Sequence, residues 1–251
     1  MKYILLGNGQ VASTILDWLV ENGEPPVGLV VHPDEQSRCR VELINSTQLP
    51  NDSIFDATTL RNSETLTAIK NLQPDLGISI FFDYILKKEF LSCFPFGCIN
   101  VHPSLLPYNR GQYPNVWSIV EGTPSGVTMH YINEGIDTGD ILSQEQVPVK
   151  SYDTGETLYR KLEAVSVNLF KKTWPLFKKS EIQGNPQEKN GGTYHKTRDV
   201  QAIDEVLLDR EYSARYLINL LRARTFPPHK GAYFVHEGKK VFMNLALEEE
   251  G

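Results

Sequence analysis

The first hundred residues alternate short apolar runs with amphipathic stretches. Residues 3–6 (Tyr-Ile-Leu-Leu) form an apolar run that leads into Gly7-Asn8-Gly9, after which apolar positions recur at Val11, Ile15, Trp18 and Leu19. The first pattern fits a strand, and the second fits one face of a helix. Glu21-Asn22-Gly23 closes that helix, and Pro25-Pro26 bars its continuation. Residues 27–31 are β-branched and apolar, residues 60–72 fit a helix, and Pro74-Asp75 precedes a continuous apolar run over 76–82. Such a run suits a strand covered on both faces. Residues 98–101 form another short strand, so the order β-α-β-α-β predicts a mostly parallel sheet flanked by helices.

Past Pro124 the pattern changes. Residues 127–132 and 141–149 read as strands, the second with Ile141, Ser143, Glu145 and Val147 on one side. Residues 154–177 carry Leu158, Leu162, Val165 and Leu169 at helical spacing. The expected organisation is an α/β, Rossmann-like domain over 1–177, a polar linker over 178–192 with Gly184, Gly191 and Gly192, and a small α+β extension over 193–251. In that extension a helix is expected from near Ser213, followed by a hairpin turning at His236-Glu237-Gly238-Lys239 and a frayed tail over 248–251.

Composition narrows the class. With 251 residues, 40% apolar and 22% charged, the chain can bury a sizeable core. A net charge of −6 argues against a protein that coats nucleic acid. The three cysteines, Cys39, Cys93 and Cys98, are too few for a disulfide framework and lack zinc spacing. No apolar run reaches the roughly 18–20 residues of a membrane helix. The N-terminal apolar run is too short for a signal-peptide core, so the sequons at Asn45 and Asn51 carry no weight and a cytoplasmic protein is expected.

Two segments carry candidate chemistry. Gly7-Asn8-Gly9-Gln10-Val11-Ala12 follows a strand and opens a helix, the context of a dinucleotide fingerprint, with Asp34 after the second strand as a ribose-binding candidate. A tight βα turn that needs small residues is the simpler reading of the same pattern. The second constellation is richer. A strand delivers Asn100 and His102 to one face, and Pro103 ends it, which places both at the carboxyl end where open α/β sheets bind ligands. A second strand runs into the loop Asn133-Glu134-Gly135-Ile136-Asp137-Thr138-Gly139-Asp140, from which Asp137 can reach His102.

An amide, an imidazole and a carboxylate suit acyl transfer to an amine. The amide donates to the developing oxyanion, and the carboxylate-oriented imidazole takes the proton that the amine sheds. Other readings stay open: a hydrogen-bonded loop, a solvated acidic turn, a metal site from His102, His130 and Asp137, or a Ser104 nucleophile without a nucleophile elbow around it.

The motifs Asn100-x-His102-x-Ser104-Leu105-Leu106-Pro107…Arg110-Gly111 and Gly126-Val127-Thr128…Gly135-x-Asp137-Thr138-Gly139-Asp140 resemble the folate-dependent formyltransferases. That family includes the glycinamide ribonucleotide, methionyl-tRNA and nucleotide-sugar enzymes. The resemblance covers about residues 1–177 and implies Asn100, His102 and Asp137 as the catalytic trio, with N10-formyltetrahydrofolate as formyl donor. It implies a pterin pocket along Phe82, Asp83, Tyr84 and Leu86 and the loop residues Asn133, Glu134 and Gly135, and no NAD at the N-terminal turn.

The stretch Tyr108-Asn109-Arg110-Gly111-Gln112-Tyr113, with Tyr194-His195-Lys196 and Arg224-Thr225-Phe226-Pro227-Pro228, is similar to the nucleotide-sugar members. This implies a nucleotide-linked amino-deoxy sugar as acceptor, dTDP-4-amino-4,6-dideoxyglucose or its 3-amino isomer, in surface polysaccharide (lipopolysaccharide O-antigen) synthesis. In this reading Tyr108, Asn109, Arg110, Gly111 and Tyr113 contact the acceptor. Lys196, Arg222, Arg224 and Lys230 are candidate pyrophosphate contacts, and Phe226 and Tyr233 are candidate stacking partners for the base. The length speaks against the usual methionyl-tRNA enzyme with its larger C-terminal domain. A glycinamide ribonucleotide enzyme with an unusual tail, and a non-catalytic folate- or nucleotide-binding module, remain alternatives. The C-terminal hairpin is marginal alone and is also suited to a homodimer contact.

Overall fold

A computed structural model describes residues 1–188 and 191–250. Lys189 and Asn190, in the expected linker, and Gly251, in the expected tail, lie outside the described residues. In chain order the elements begin β1 (Tyr3–Gly7), α1 (Gly9–Glu21), β2 (Gly28–Val31), α2 (Arg40–Asn45), β3 (Ile54–Asp56), α3 (Ser63–Asn71), β4 (Leu76–Ile80), α4 (Lys88–Leu91) and β5 (Cys98–His102). There follow β6 (Arg110–Gly111), α5 (Pro114–Val120), β7 (Gly126–Tyr131), β8 (Ile141–Gln146) and α6 (Gly155–Lys178). The last are β9 (Tyr194–His195), α7 (Thr197–Ile203), α8 (Ala214–Ala223), β10 (Tyr233–His236) and β11 (Lys239–Phe242).

Seven strands form one sheet in the order β3-β2-β1-β4-β5-β7-β8. β1 through β5 pair in parallel, and β7 pairs antiparallel with β5, so the sheet is mostly parallel as the residue pattern predicts. Every residue of β1 is buried, with successive side chains leaving opposite faces. Ile4 and Leu6 enter a cluster with Val30, Phe55, Leu60, Ile69 and Phe90. On the other side Tyr3 meets Trp174 edge-on, their rings 5.8 Å apart, and Trp174 stacks on Phe170. Cys93 and Cys98 are buried, and burial pushes both thiols up, which fits packing residues.

Three boundaries differ from expectation by two residues or more, each for a local reason. Asp56 Oδ1 accepts from the Thr58 N–H at 2.9 Å and holds a 3-10 turn, so the helix expected from 60 begins at Ser63. Phe81 takes φ 51°, which ends β4 before the expected Phe82. β8 stops at Gln146, two residues before Pro148, which has no N–H for a ladder.

The chain forms two compact units, each assembled from separated segments. One compact unit comprises residues 1–102, 128–144 and 166–187, and the other comprises 103–127, 145–165 and 188–251. The second unit is held by α5 packed on α8, by the parallel pair β6–β9, and by Asn115 donating to the Gly155 carbonyl at 2.9 Å. Its hairpin turns at Glu237 and Gly238, both at positive φ (48° and 73°), where the sequence placed it. The helix expected near Ser213 begins with Ser213 Oγ accepting from the Tyr216 N–H at 3.2 Å. Among the described residues no helix is long and apolar enough to cross a membrane.

Candidate active site

The two residues that lead the sequence reading stand on β5, and the antiparallel register sets them against β7. Asn100 faces His130, and His102 faces Thr128. These four side chains share one face because strand side chains alternate with a period of two. His102 is buried and Asn100 half-buried.

Asp137 arrives from the loop after β7. Its Oδ2 lies 3.7 Å from His102 Nε2, and its Oδ1 lies 3.6 Å from His130 Nε2. Asn100 Nδ2 lies 3.3 Å from His130 Nε2. Asn100, His102 and Asp137 are thus brought together, with His130 as a fourth member between the amide and the carboxylate. Among the described residues no group of three His, Cys, Asp or Glu side chains is arranged to hold a metal ion.

The loop is shaped by its own polar atoms. Asn133 Oδ1 accepts from the Gly135 N–H at 3.0 Å and from Thr138 Oγ1 at 2.7 Å. A Cβ at Gly139 would lie 1.8 Å from the Tyr131 carbonyl oxygen, so only glycine lets the loop pass so close to the strand it leaves. Asp137 itself sits at φ 52°, a left-handed backbone that aspartate adopts more readily than most residues. Gln187 Nε2 donates to the Asp137 and Gly139 carbonyls, each at 2.8 Å. Asn185 exchanges main-chain hydrogen bonds with Ile141, at 2.8 Å each way. The segment expected as linker therefore clamps the loop that carries Asp137, a role its polar, glycine-rich composition did not signal.

The residues expected at a cofactor pocket fall into three groups. Leu86 belongs to the apolar core, and Tyr84 and Leu86 line a cavity of about 320 Å³ together with Ala57, Arg61, Lys87 and Phe90. Phe82, Asp83 and Tyr84 instead meet the crest of β1 and β2. Phe82 packs edge-on against His32, Asp83 lies 3.5 Å from Arg38 Nη2, and Tyr84 OH donates to Gln36 Oε1 at 2.8 Å. Asn133 and Gly135 build the loop, and Glu134 is exposed, 3.7 Å from Lys88.

At that crest, the place of the glycine-rich turn, side chains fill the ground. Asn8 Oδ1 accepts from the Arg38 N–H at 2.9 Å, and Asn8 Nδ2 lies 3.2 Å from His32 Nδ1. Burial lowers the His32 pKa from the ordinary 6.5, with help from Arg38 and against Asp83 and Asp56. The unfolded chain therefore binds more protons near and below pH 6.5, and His32 destabilises the fold as pH falls through that value. Thermal melting of His32→Asn should lose this acid-side slope relative to the native protein. An identical slope in the two proteins would exclude His32 as its source.

The acceptor-contact candidates differ in their surroundings. Asn109 is fully buried, donating from Nδ2 to Ser118 Oγ and Thr123 Oγ1 at 2.9 and 2.8 Å, so its side chain ties the chain together. Arg222 is buried, and its Nη1 donates to the Lys150 and Asp153 carbonyls at 3.0 and 2.9 Å. Arg224 pairs through Nε and Nη2 with Asp204, at 2.5 and 3.0 Å. Both guanidiniums are thus engaged by acceptors of the protein itself.

The remaining candidates are more accessible. Lys196 and Lys230 are exposed, their ammonium groups 5.6 Å from the Tyr194 ring and 5.0 Å from the Phe242 ring. Tyr113 is exposed, and Tyr108 and Arg110 are half-buried. Gly111 takes φ 86° where a Cβ would lie 2.3 Å from the His195 carbonyl oxygen. Phe226 packs edge-on against Tyr159, and Tyr233 tilts against Phe242. His195 stacks on Trp117 with ring centroids 4.0 Å apart, an arrangement the sequence did not signal.

Comparison with known proteins places this geometry. Residues 1–173 match the family described as Formyl transferase, and residues 199–249 match the N-formyltransferase dimerization C-terminal domain. A methionyl-tRNA formyltransferase from Alkaliphilus oremlandii (strain OhILAs) is 32% identical over 261 residues, covering 100% of this chain and 82% of the relative. The crystal structure of a 4-N formyltransferase from Francisella tularensis is 30% identical, with TM-score 0.82 and 99% of each chain covered. The formyltransferase PseJ from Anoxybacillus kamchatkensis, in complex with UDP-4,6-dideoxy-4-formamido-L-AltNAc and tetrahydrofolate, is 31% identical. Its TM-score is 0.57, over 80% of this chain and 89% of PseJ. With its first 173 residues matched and Asn100, His102 and Asp137 gathered at one strand end, the chain belongs to the formyl transferase family and is a formyl-transferring enzyme.

Proposed function

We propose that the protein is a sugar N-formyltransferase, which moves the formyl group of N10-formyltetrahydrofolate to the amine of a nucleotide-linked amino-deoxy sugar. The 4-amino-4,6-dideoxyglucose or 3-amino sugar of a dTDP conjugate is the favoured acceptor, and cytoplasmic surface-polysaccharide synthesis is the setting. The observation that carries the reading is the 31% identity with PseJ over 80% of this chain and 89% of PseJ, while the 30% identity with the Francisella 4-N formyltransferase over 99% of both chains supports N-formyl transfer. PseJ, whose complex holds tetrahydrofolate and a UDP-linked formamido sugar, supports folate as co-substrate and a nucleotide sugar as acceptor.

In the proposed reaction the acceptor amine attacks the formyl carbon. Asn100 Nδ2–H donates to the oxygen as it gains charge, and His102 takes the proton shed by the amine. The carbon–N10 bond then breaks, N10 takes that proton back from His102, and the N-formyl amine and tetrahydrofolate leave. Asp137, 3.7 Å from His102, orients the imidazole and stabilises its charged form. The folate lies along Tyr84, Leu86 and the 133–137 loop, held largely by main-chain groups. Tyr108, Arg110, Gly111, Tyr113, Lys196, Phe226, Lys230 and Tyr233 are the acceptor-binding candidates, while Asn109, Arg222 and Arg224 are held in hydrogen bonds of the protein itself. A homodimer through the C-terminal unit covers the half-exposed Val235, Val241 and Phe242 of its hairpin.

The 32% identity with a methionyl-tRNA formyltransferase favours a second reading, with an aminoacyl-tRNA as acceptor. One assay separates the two. The protein is incubated with N10-formyltetrahydrofolate and, in parallel, dTDP- and UDP-linked 3-amino and 4-amino sugars, methionyl-tRNA and glycinamide ribonucleotide, with the formamide detected by mass. A formylated nucleotide sugar is the expected product. Turnover of methionyl-tRNA or glycinamide ribonucleotide without any sugar product would overturn the sugar reading.

A further inference from the structure

The geometry points to His130 as a positioning residue for formyl transfer, one that fixes which way the Asn100 amide faces. This rests on the reading of Asn100 as the oxyanion donor. His130 is 1% exposed and stands directly across the β5–β7 ladder from Asn100. Its Nδ1 lies 2.7 Å from the Tyr131 carbonyl oxygen. A carbonyl only accepts, so the ring proton belongs on Nδ1, and in the neutral ring Nε2 is left as an acceptor.

That acceptor faces Asn100 at 3.3 Å. An amide can present oxygen or nitrogen to a neighbour, and its hydrogen-bond partners decide which. Opposite an unprotonated Nε2 the NH₂ end is the favourable one. One N–H of Asn100 is thereby spent on His130, and the rotation of the amide is set. The second N–H is left in a fixed direction for the formyl oxygen, which is the preorganisation that oxyanion stabilisation needs.

Two further groups face His130. From the loop, Asp137 directs one oxygen to each imidazole, Oδ1 at 3.6 Å from His130 and Oδ2 at 3.7 Å from His102. The His102 ring stands edge-on to the His130 ring with centroids 6.3 Å apart. A proton on His130 Nε2 would claim Asp137 and turn Asn100 away together. The proposed positioning role therefore requires the neutral Nδ1–H form, with His102 carrying the reaction's proton.

Two measurements test this. In the intact protein, ¹⁵N spectra of the histidine rings, with the His130 signals assigned by their loss in His130→Gln, should show a protonated Nδ1 and a bare Nε2 at pH 7.5. The opposite tautomer, or a doubly protonated ring, would overturn the proposal whether or not any variant folds.

In steady-state assays His130→Leu, which removes the acceptor at similar volume, should lower kcat about 10- to 100-fold with both KM values within about twofold. His130→Gln, whose Oε1 can accept from Asn100, should recover most of that loss. Equal impairment of the Leu and Gln variants would reduce His130 to a packing role. Asn100→Ala, assayed beside them, separates the two levels of inference. If Asn100→Ala is impaired while His130→Leu keeps the native kcat, the positioning role fails alone. If both keep the native kcat, the reading of Asn100 fails with it.

Discussion

Replacing Asn100 by alanine should lower kcat by about 10²- to 10³-fold while the protein stays folded. The side chain is half-buried at the end of β5 and makes its closest described polar contact with His130. Its removal leaves the sheet pairing of Ser79↔Asn100 and Asn100↔His130 untouched, because those pairs are main-chain ladders. What is lost is the donor aimed at the formyl oxygen, an interaction that strengthens only as the tetrahedral intermediate forms. Such a loss appears in kcat rather than in KM. Steady-state kinetics with both substrates, together with a melting curve, make the measurement. A variant that melts like the native protein and keeps near-native kcat removes Asn100 from the mechanism.

The second large effect is expected at Asp137. Asp137→Asn keeps the size of the side chain but removes the negative charge that lies between His102 and His130. Without it His102 has no anion to steady the imidazolium formed when the amine releases its proton, and no fixed acceptor to hold its ring. The expected cost is again about 10²- to 10³-fold in kcat. The backbone at this position, at φ 52°, accepts asparagine as readily as aspartate, so a fall in rate reports lost charge rather than a collapsed loop. Measured from pH 6 to 8, native rates throughout would remove the orienting role.

Several of these features are legible in the chain itself. The fully buried strands β1 and β4 are legible as runs of mostly apolar residues with no charge, because a strand covered on both faces has no solvent side to carry one. Asn100 and His102 are legible as a pair because a spacing of two puts both on one face, and Pro103 marks where the strand ends. His130 was harder to place. Only the register of β7 against β5 sets it opposite Asn100, and no spacing within either segment encodes that pairing. Gln187 reads as linker because its contacts lie 48 and 50 positions away. The short α5 is not legible in the sequence, because its residues Pro114 to Ile119 are all buried and leave no exposed polar face. Arg222 and Arg224 read as ligands for an anion because sequence shows a guanidinium's charge but not the carbonyls and the carboxylate that already hold it.

The opposed placement of Asn100 and His130 on a hydrogen-bonded ladder has an engineering consequence. Their separation is set by strand spacing, a dimension common to all sheets, and not by any loop. Loops elsewhere in the chain can lengthen, shorten or change composition while this pair keeps its distance. A library aimed at new acceptor amines can therefore randomise residues such as Tyr113, Lys196 and Lys230 freely. A single-residue insertion within β7 would send His130 to the far face and disable the whole library at once.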